Sequence, residues 1–122
     1  MARILVIDDS RVIRDLLSDM LADQGHEVVT AADGLAGVNT ALKGHFDLCI
    51  CDLHIPKKNG YVIFQEVKSA KPEIPFILTD SLPDHLAEQA ITAGATHCLK
   101  KPFDLDQLRD VLNSILQPVK TK

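Results

Sequence analysis

The sequence predicts a three-layer α/β fold, a five-stranded parallel sheet of order 2-1-3-4-5 covered by five helices. Three observations predict it. Apolar runs at Ile4-Leu5-Val6-Ile7, Leu48-Cys49-Ile50-Cys51 and Phe76-Ile77-Leu78 are continuous, the pattern of parallel strands buried on both faces. Between the strand-like runs, apolar residues recur at helical spacing, so strand and helix alternate from end to end. The second and fifth strand-like runs are more polar, which assigns them to the edges and the other three to the middle.

Residues 3–8 read as the first strand. Ser10 caps a helix whose apolar stripe is Ile13, Leu16, Leu17, Met20 and Leu21, and Gly25 stops it. Glu27 to Ala31 is the second strand. Asp33-Gly34 marks a turn, and Leu35, Val38, Ala41 and Leu42 then repeat at helical intervals up to Gly44-His45. Residues 47–52 give the third strand. After a loop containing Pro56 and Gly60, a third helix turns Val62, Ile63 and Val67 inward, with Tyr61 and Phe64 as packing residues. Pro72 and Pro75 flank the turn into a fourth strand, Phe76 to Thr79. A fourth helix is predicted over 83–93, with Leu86, Ala90 and Ile91 inward and Gly94 at its end. His97 to Lys100 is a short fifth strand. Asp104 caps the last helix, whose stripe is Leu105, Leu108, Leu112 and Ile115, and a frayed tail starts at about residue 118. Right-handed crossovers through these elements give the flavodoxin-like arrangement, with its switch point between strands 1 and 3.

Composition sets the broad class. Residues 1–122 read as a single domain, 46% hydrophobic and 25% charged, as in ordinary globular proteins. No apolar run approaches the roughly 18 residues of a membrane span. Met1-Ala2-Arg3 runs directly into a strand, without the apolar region of a signal peptide, so a cytoplasmic location is expected. Thirteen basic against seventeen acidic residues give a net charge of −4, which argues against nucleic-acid binding by this domain. Cys49, Cys51 and Cys98 sit in or beside apolar runs and read as small core residues, not as a disulfide framework. Cys49, Cys51 and His54 are too closely spaced for a structural zinc site.

Charged groups end three of these strands. Ligand sites in open α/β sheets lie beyond the carboxyl ends of the strands, where Asp8, Asp9, Asp52 and Lys101 would converge. Two carboxylates about 4 Å apart repel by roughly 4 kcal/mol near a protein surface, so converging acids call for a cation. Magnesium suits them, being a hard ion satisfied by carboxylates, water and phosphate oxygens. Asp52 ends the central third strand and is the expected nucleophile, forming an aspartyl phosphate. Lys101 offers positive charge and Thr79 a hydroxyl to phosphoryl oxygens.

These motifs, in this order, make the chain resemble the receiver domain of the bacterial response-regulator family, over essentially all of its length. Asp8-Asp9 matches the family's acidic pair, Asp52-Leu53-His54-Ile55-Pro56 with Gly60 its phospho-acceptor loop, Thr79 its switch hydroxyl, and Lys101-Pro102-Phe103 its Lys-Pro motif. The resemblance implies that Asp52 is phosphorylated by a sensor histidine kinase or histidine phosphotransfer protein. It implies Mg2+ bound by Asp9, Asp52 and the backbone carbonyl of His54, with Asp8 acting largely through a metal-bound water. Lys101 would hold the phosphoryl oxygens, and the Lys101–Pro102 bond would be cis. Phosphorylation would then shift a two-state equilibrium in the loop after the fourth strand and change the affinity for an output partner.

Two positions depart from the family pattern. Cys98 stands where an aromatic rotor is usual, and reads as drift; a redox role would need a lowered thiol pKa. Asp80 stands where a small residue is usual, and is expected either to repel small phosphodonors or to lie in solvent. His54, two places after the acceptor, is expected to tune phosphoryl lifetime. Lys57-Lys58 reads as an exposed loop pair, Asp33 as a turn former, and His26, His45, His85 and His97 as solvated. Alternatives are a degenerate receiver that only binds partners, an aspartate-nucleophile phosphohydrolase, or a nucleotide- or flavin-binding module. The phosphohydrolase pattern needs an aspartate where His54 stands, and the nucleotide module needs a Gly-rich loop where Asp9-Ser10-Arg11 stands.

Overall fold

The computed structural model describes residues 2–80, 86–101 and 104–116. Five parallel strands, β1 (Arg3–Ile7), β2 (Glu27–Ala31), β3 (Leu48–Asp52), β4 (Phe76–Asp80) and β5 (His97–Lys100), pair in the order β2-β1-β3-β4-β5. The helices are α1 (Arg11–Asp23), α2 (Gly34–Lys43), α3 (Gly60–Ala70), α4 (Leu86–Thr92) and α5 (Leu105–Leu116). This is the predicted flavodoxin-like architecture. The expected cis bond at Pro102, the start of the fourth helix at 83, His85 and the tail from 118 lie outside the described residues.

Successive strand residues point to opposite faces, which divides the core in two. Leu5, Ile7, Cys49, Cys51, Phe76 and Leu78 pack with Val38 of α2, Ile63, Phe64 and Val67 of α3, and Ala90 of α4. Ile4, Val6, Leu48, Ile50 and Ile77 pack on the other face with Leu17 and Leu21 of α1 and Leu108 and Leu112 of α5. All positions of β3 and β4 are buried, whereas β2 and β5 carry exposed residues, as edge strands do. Phe64 and Phe76 meet edge to face, their ring centres 5.3 Å apart.

Helix starts follow from short polar side chains. Ser10, Asp33 and Asn59 each accept a bond from the backbone N–H three residues on. Asp104 accepts from the Asp106 amide while Gln107 reaches back to the Asp104 amide, a reciprocal cap on α5. Gly25, at φ +90°, ends α1 in the left-handed region.

The predicted stripes are wider than the buried ones. Leu16, Leu35, Leu42 and Ile91 remain 39–48% exposed, and Val62 is half-buried while Phe64 takes the inward place. Each lies beside a better-centred residue, such as Leu17 next to Leu16, and a helix resting on a sheet buries only a narrow strip. His26 is also less solvated than expected, because its Nδ1 accepts the Ala2 amide at 3.0 Å and burial lowers its pKa. His45 and His97 are exposed.

Candidate functional site

The connection after β1 runs to α1 on one face, and that after β3 runs to α3 on the other. A crevice therefore opens where the two strand ends part. Asp8, Asp9 and Asp52 stand there, each offering a carboxylate oxygen within 4.8 Å of the others. Asp8 and Asp52 are buried and Asp9 is exposed.

Lys101, just past β5, reaches across to both buried acids. Its Nζ donates to Asp8 Oδ2 at 2.8 Å and to Asp52 Oδ2 at 3.3 Å. The other oxygens are held by the backbone, Asp8 Oδ1 by the Ser10 amide at 2.9 Å and Asp52 Oδ1 by the His54 amide at 3.3 Å. Burial pushes the Asp52 carboxyl above its usual range; Lys101 opposes the shift and Asp8 adds to it. Burial pulls the Lys101 ammonium down, but its bonds to Asp8 and Asp52 prevail and raise it.

One lysine offsets one of three acidic charges. The remaining charge, carried on hard oxygen donors, fits a hard divalent cation. Thr79 pairs in register with Asp52 across β3 and β4, and its buried Oγ1 has no hydrogen-bond partner among the described residues. A buried hydroxyl left unpaired costs about 1–3 kcal/mol. An anion's oxygen bound beside Asp52 would relieve that cost. Anion and cation therefore both suit the same few residues.

Asp80 does not lie in solvent, as one expectation had it: it is 4% exposed, and its Oδ1 is 3.1 Å from His54 Nε2. Cys98 is half-buried, and its thiol is raised by burial and by Asp80, with Lys100 opposing. The lowered pKa that a redox role requires is not there. Cys49 and Cys51 are fully buried with raised thiols.

Other contacts at the site had only weak sequence signals. Arg14 donates to the Asp8 carbonyl at 2.8 Å, pinning the end of β1. The Gly34 amide donates to the Pro56 carbonyl at 3.1 Å, and a Cβ at Gly34 would collide with the Lys58 backbone. Asp33, besides capping α2, lies 3.6 Å from Lys57 Nζ. The start of α2 thus braces the loop that follows Asp52. Lys58 is paired with Glu66 at 2.8 Å and only partly exposed.

Lys57 in that loop has φ +75°, the left-handed region that non-glycine residues enter at a cost of about 1–3 kcal/mol. Glycine there removes the strain but adds about 0.5–1 kcal/mol of chain entropy. Lys57→Gly is therefore expected to raise stability by up to about 2.5 kcal/mol, and Lys57→Val to lower it. Thermal melts check this, and a glycine variant that melts well below the wild type would contradict it.

Comparison with known proteins agrees with the geometry. The response regulator receiver domain profile matches residues 4–113. The transcriptional regulatory protein RprY of Bacteroides fragilis is 34% identical, over 98% of this chain and 51% of its own length. A receiver domain from Clostridium thermocellum superposes with a TM-score of 0.90 at 30% identity, covering 95% of this chain and 94% of that one. The response regulator TrrA of Thermotoga maritima, solved with Mg2+ and BeF, has a TM-score of 0.86 at 30% identity, covering 94% and 99%. The chain spans about half the length of RprY and of Staphylococcus aureus SaeR. Fold and site define a doubly wound signalling module with an acidic, cation-compatible pocket at its switch point. The chain belongs to the response regulator receiver family, the phosphoryl-accepting domains of two-component systems.

Proposed function

We propose that Asp52 accepts a phosphoryl group from the phosphohistidine of a sensor histidine kinase or histidine phosphotransfer protein, in a Mg2+-dependent step. One observation carries the reading: Asp52 is gripped by Lys101, beside two further acids and a Thr79 hydroxyl that has no partner among the described residues. Asp9, Asp52 and the backbone carbonyl of His54 would hold the ion, and Asp8 would act largely through water. Magnesium, when bound, supplies the charge that lets an anionic donor approach an anionic acceptor.

An Asp52 carboxylate oxygen attacks phosphorus, and the bond from phosphorus to the histidine nitrogen breaks. The nitrogen keeps the electron pair and leaves as neutral imidazole because the ring's other nitrogen carries a proton, and Asp52 becomes an acyl phosphate. Lys101 turns from Asp52 toward the phosphoryl oxygens, and Thr79 donates its hydroxyl to one of them. Thr79 lies at the end of β4 and Lys101 just past β5, so this engagement biases the loop after β4 and the affinity for an output partner. Water later cleaves the acyl phosphate and restores Asp52. The role is stoichiometric, in the cytoplasm, without nucleic acid or membrane binding by this domain. In a phosphohydrolase an acid would stand two places after the nucleophile; here His54 stands there, bonded to Asp80.

Incubation with Mg2+ and acetyl phosphate tests the reading. The wild type is expected to take up one acid-stable, hydroxylamine-sensitive phosphoryl group per chain, and Asp52→Asn none. Label persisting in Asp52→Asn overturns it, and many turnovers of a phosphate ester would instead indicate a hydrolase.

A further inference from the structure

Two residues grip the acceptor carboxylate: the His54 amide holds Asp52 Oδ1 and the Lys101 ammonium holds Asp52 Oδ2. Both trace back to Asp80. The Asp80 carbonyl accepts the Lys101 amide at 2.8 Å, and the Asp80 carboxylate meets His54 Nε2 at 3.1 Å. The first bond is backbone, available to any residue at this position. The second belongs to this chain's own pair of side chains. Asp80 directly follows Thr79, the cross-strand partner of Asp52, so the His54–Asp80 link spans β3 and β4 beside the acceptor.

We propose that Asp80 is a positioning residue for phosphoryl acceptance: by holding the His54 ring it fixes the loop after β3, and with it the orientation of the Asp52 carboxylate. The inference rests on Asp52 being the acceptor. Burial supports it, since an acid 4% exposed and bonded to a neighbour is poorly placed to repel donors in solvent. The chemistry gives the link its consequence. In-line attack depends on carboxylate orientation, and a carboxylate held by a single amide on a loose loop samples more orientations.

Four variants test it: Asp80→Ala, Asp80→Asn (which keeps an oxygen for His54), His54→Ala and the double alanine variant. Two readouts are taken, the maximal labelling rate with saturating Mg2+ and acetyl phosphate, and hydrogen exchange of the His54 amide without either. Asp80→Ala is expected to label about five- to tenfold more slowly and to exchange the His54 amide at least about fivefold faster. Asp80→Asn should stay within about twofold of wild type, and the double variant should be no slower than the slower single one, because both residues act through one link. Faster labelling by Asp80→Ala overturns the proposal in favour of charge repulsion. Additive losses, or an Asn variant as impaired as the Ala one, overturn it as well. If the wild type takes up no label, phosphoryl acceptance fails, and the amide readout still decides whether Asp80 positions the loop.

Discussion

Replacing Lys101 by alanine is expected to lower stability at neutral pH by about 3–5 kcal/mol in the absence of a divalent cation. The ammonium is bonded to Asp8 and Asp52, whose side chains are 3% and 5% exposed, so its removal leaves two buried acids facing each other. The loss has a definite pH dependence. Lys101 holds the Asp52 carboxyl down, so without it Asp52 keeps its proton more tightly, acidification neutralises it, and the deficit shrinks toward the carboxylate range. At the alkaline end the signs reverse. Lys101 has a raised pKa in the folded protein, so its contribution is complete below about 10.5 and is lost as pH rises through the folded value. The wild type should therefore lose stability at strongly alkaline pH while the alanine variant, already without that contribution, should not. Asp52 shows the same sign in the carboxylate range: its pKa is raised from 3.8, so ionising it costs stability as pH rises from there through the folded value. Asp52→Asn should thus stabilise the cation-free protein, and adding it to Lys101→Ala should restore part of the loss. Denaturant melts of the four proteins, with and without Mg2+, check this. Equal stability of Lys101→Ala and wild type at neutral pH would show that the lysine does not compensate the buried acids.

The sheet order was legible because burial on both faces leaves a plain mark on a strand. Leu48-Cys49-Ile50-Cys51 has no polar alternation, and β3 proves buried at every position. Helix faces were less legible. A stripe shows which side turns inward but not how wide the contact is, so Leu35 and Leu42 were assigned to a core that reaches only Val38 and Ala41. The candidate residues at or next to strand ends, Asp8, Asp52 and Thr79, could be placed from topology alone. Those acting through loops could not. Nothing local in the sequence says that Asp33-Gly34 braces Pro56 and Lys58, or that Arg14 closes back on the Asp8 carbonyl. The burial of Asp80 was equally hidden, because it depends on a histidine 26 residues away in sequence. Sequence-distant pairs leave no periodicity to read.

Gly60 is where local propensity and tertiary packing predict opposite signs. As the first residue of α3 it would gain roughly 0.5–1 kcal/mol from replacement by alanine on propensity alone. Its surroundings forbid this. A Cβ there would lie 2.5 Å from the Asp52 carbonyl oxygen and 2.7 Å from Leu53 Cα. Both are backbone atoms, and neither can swing aside. Leu53 is fixed by its amide on the Thr79 carbonyl and by its carbonyl on the Gly60 amide, both at 2.8 Å. Relief therefore requires α3 to retreat, stretching the Leu53–Gly60 bond, or the acceptor strand end to shift. Overpacking against rigid atoms costs typically 1–3 kcal/mol, which outweighs the propensity gain. Gly60→Ala is expected to destabilise the fold by about 1–3 kcal/mol, and a displacement of Asp52 by even a few tenths of an ångström should slow its labelling about tenfold or more. Gly25→Ala is the control. Its φ of +90° makes alanine strained, but nothing lies within 4 Å of a Cβ there, so stability falls while labelling of the folded protein stays at the wild-type rate. A Gly60→Ala protein that melts at or above the wild-type temperature and labels normally would mean that the glycine is there for its propensity as a loop residue, and that the close approach of α3 does not set the position of the acceptor.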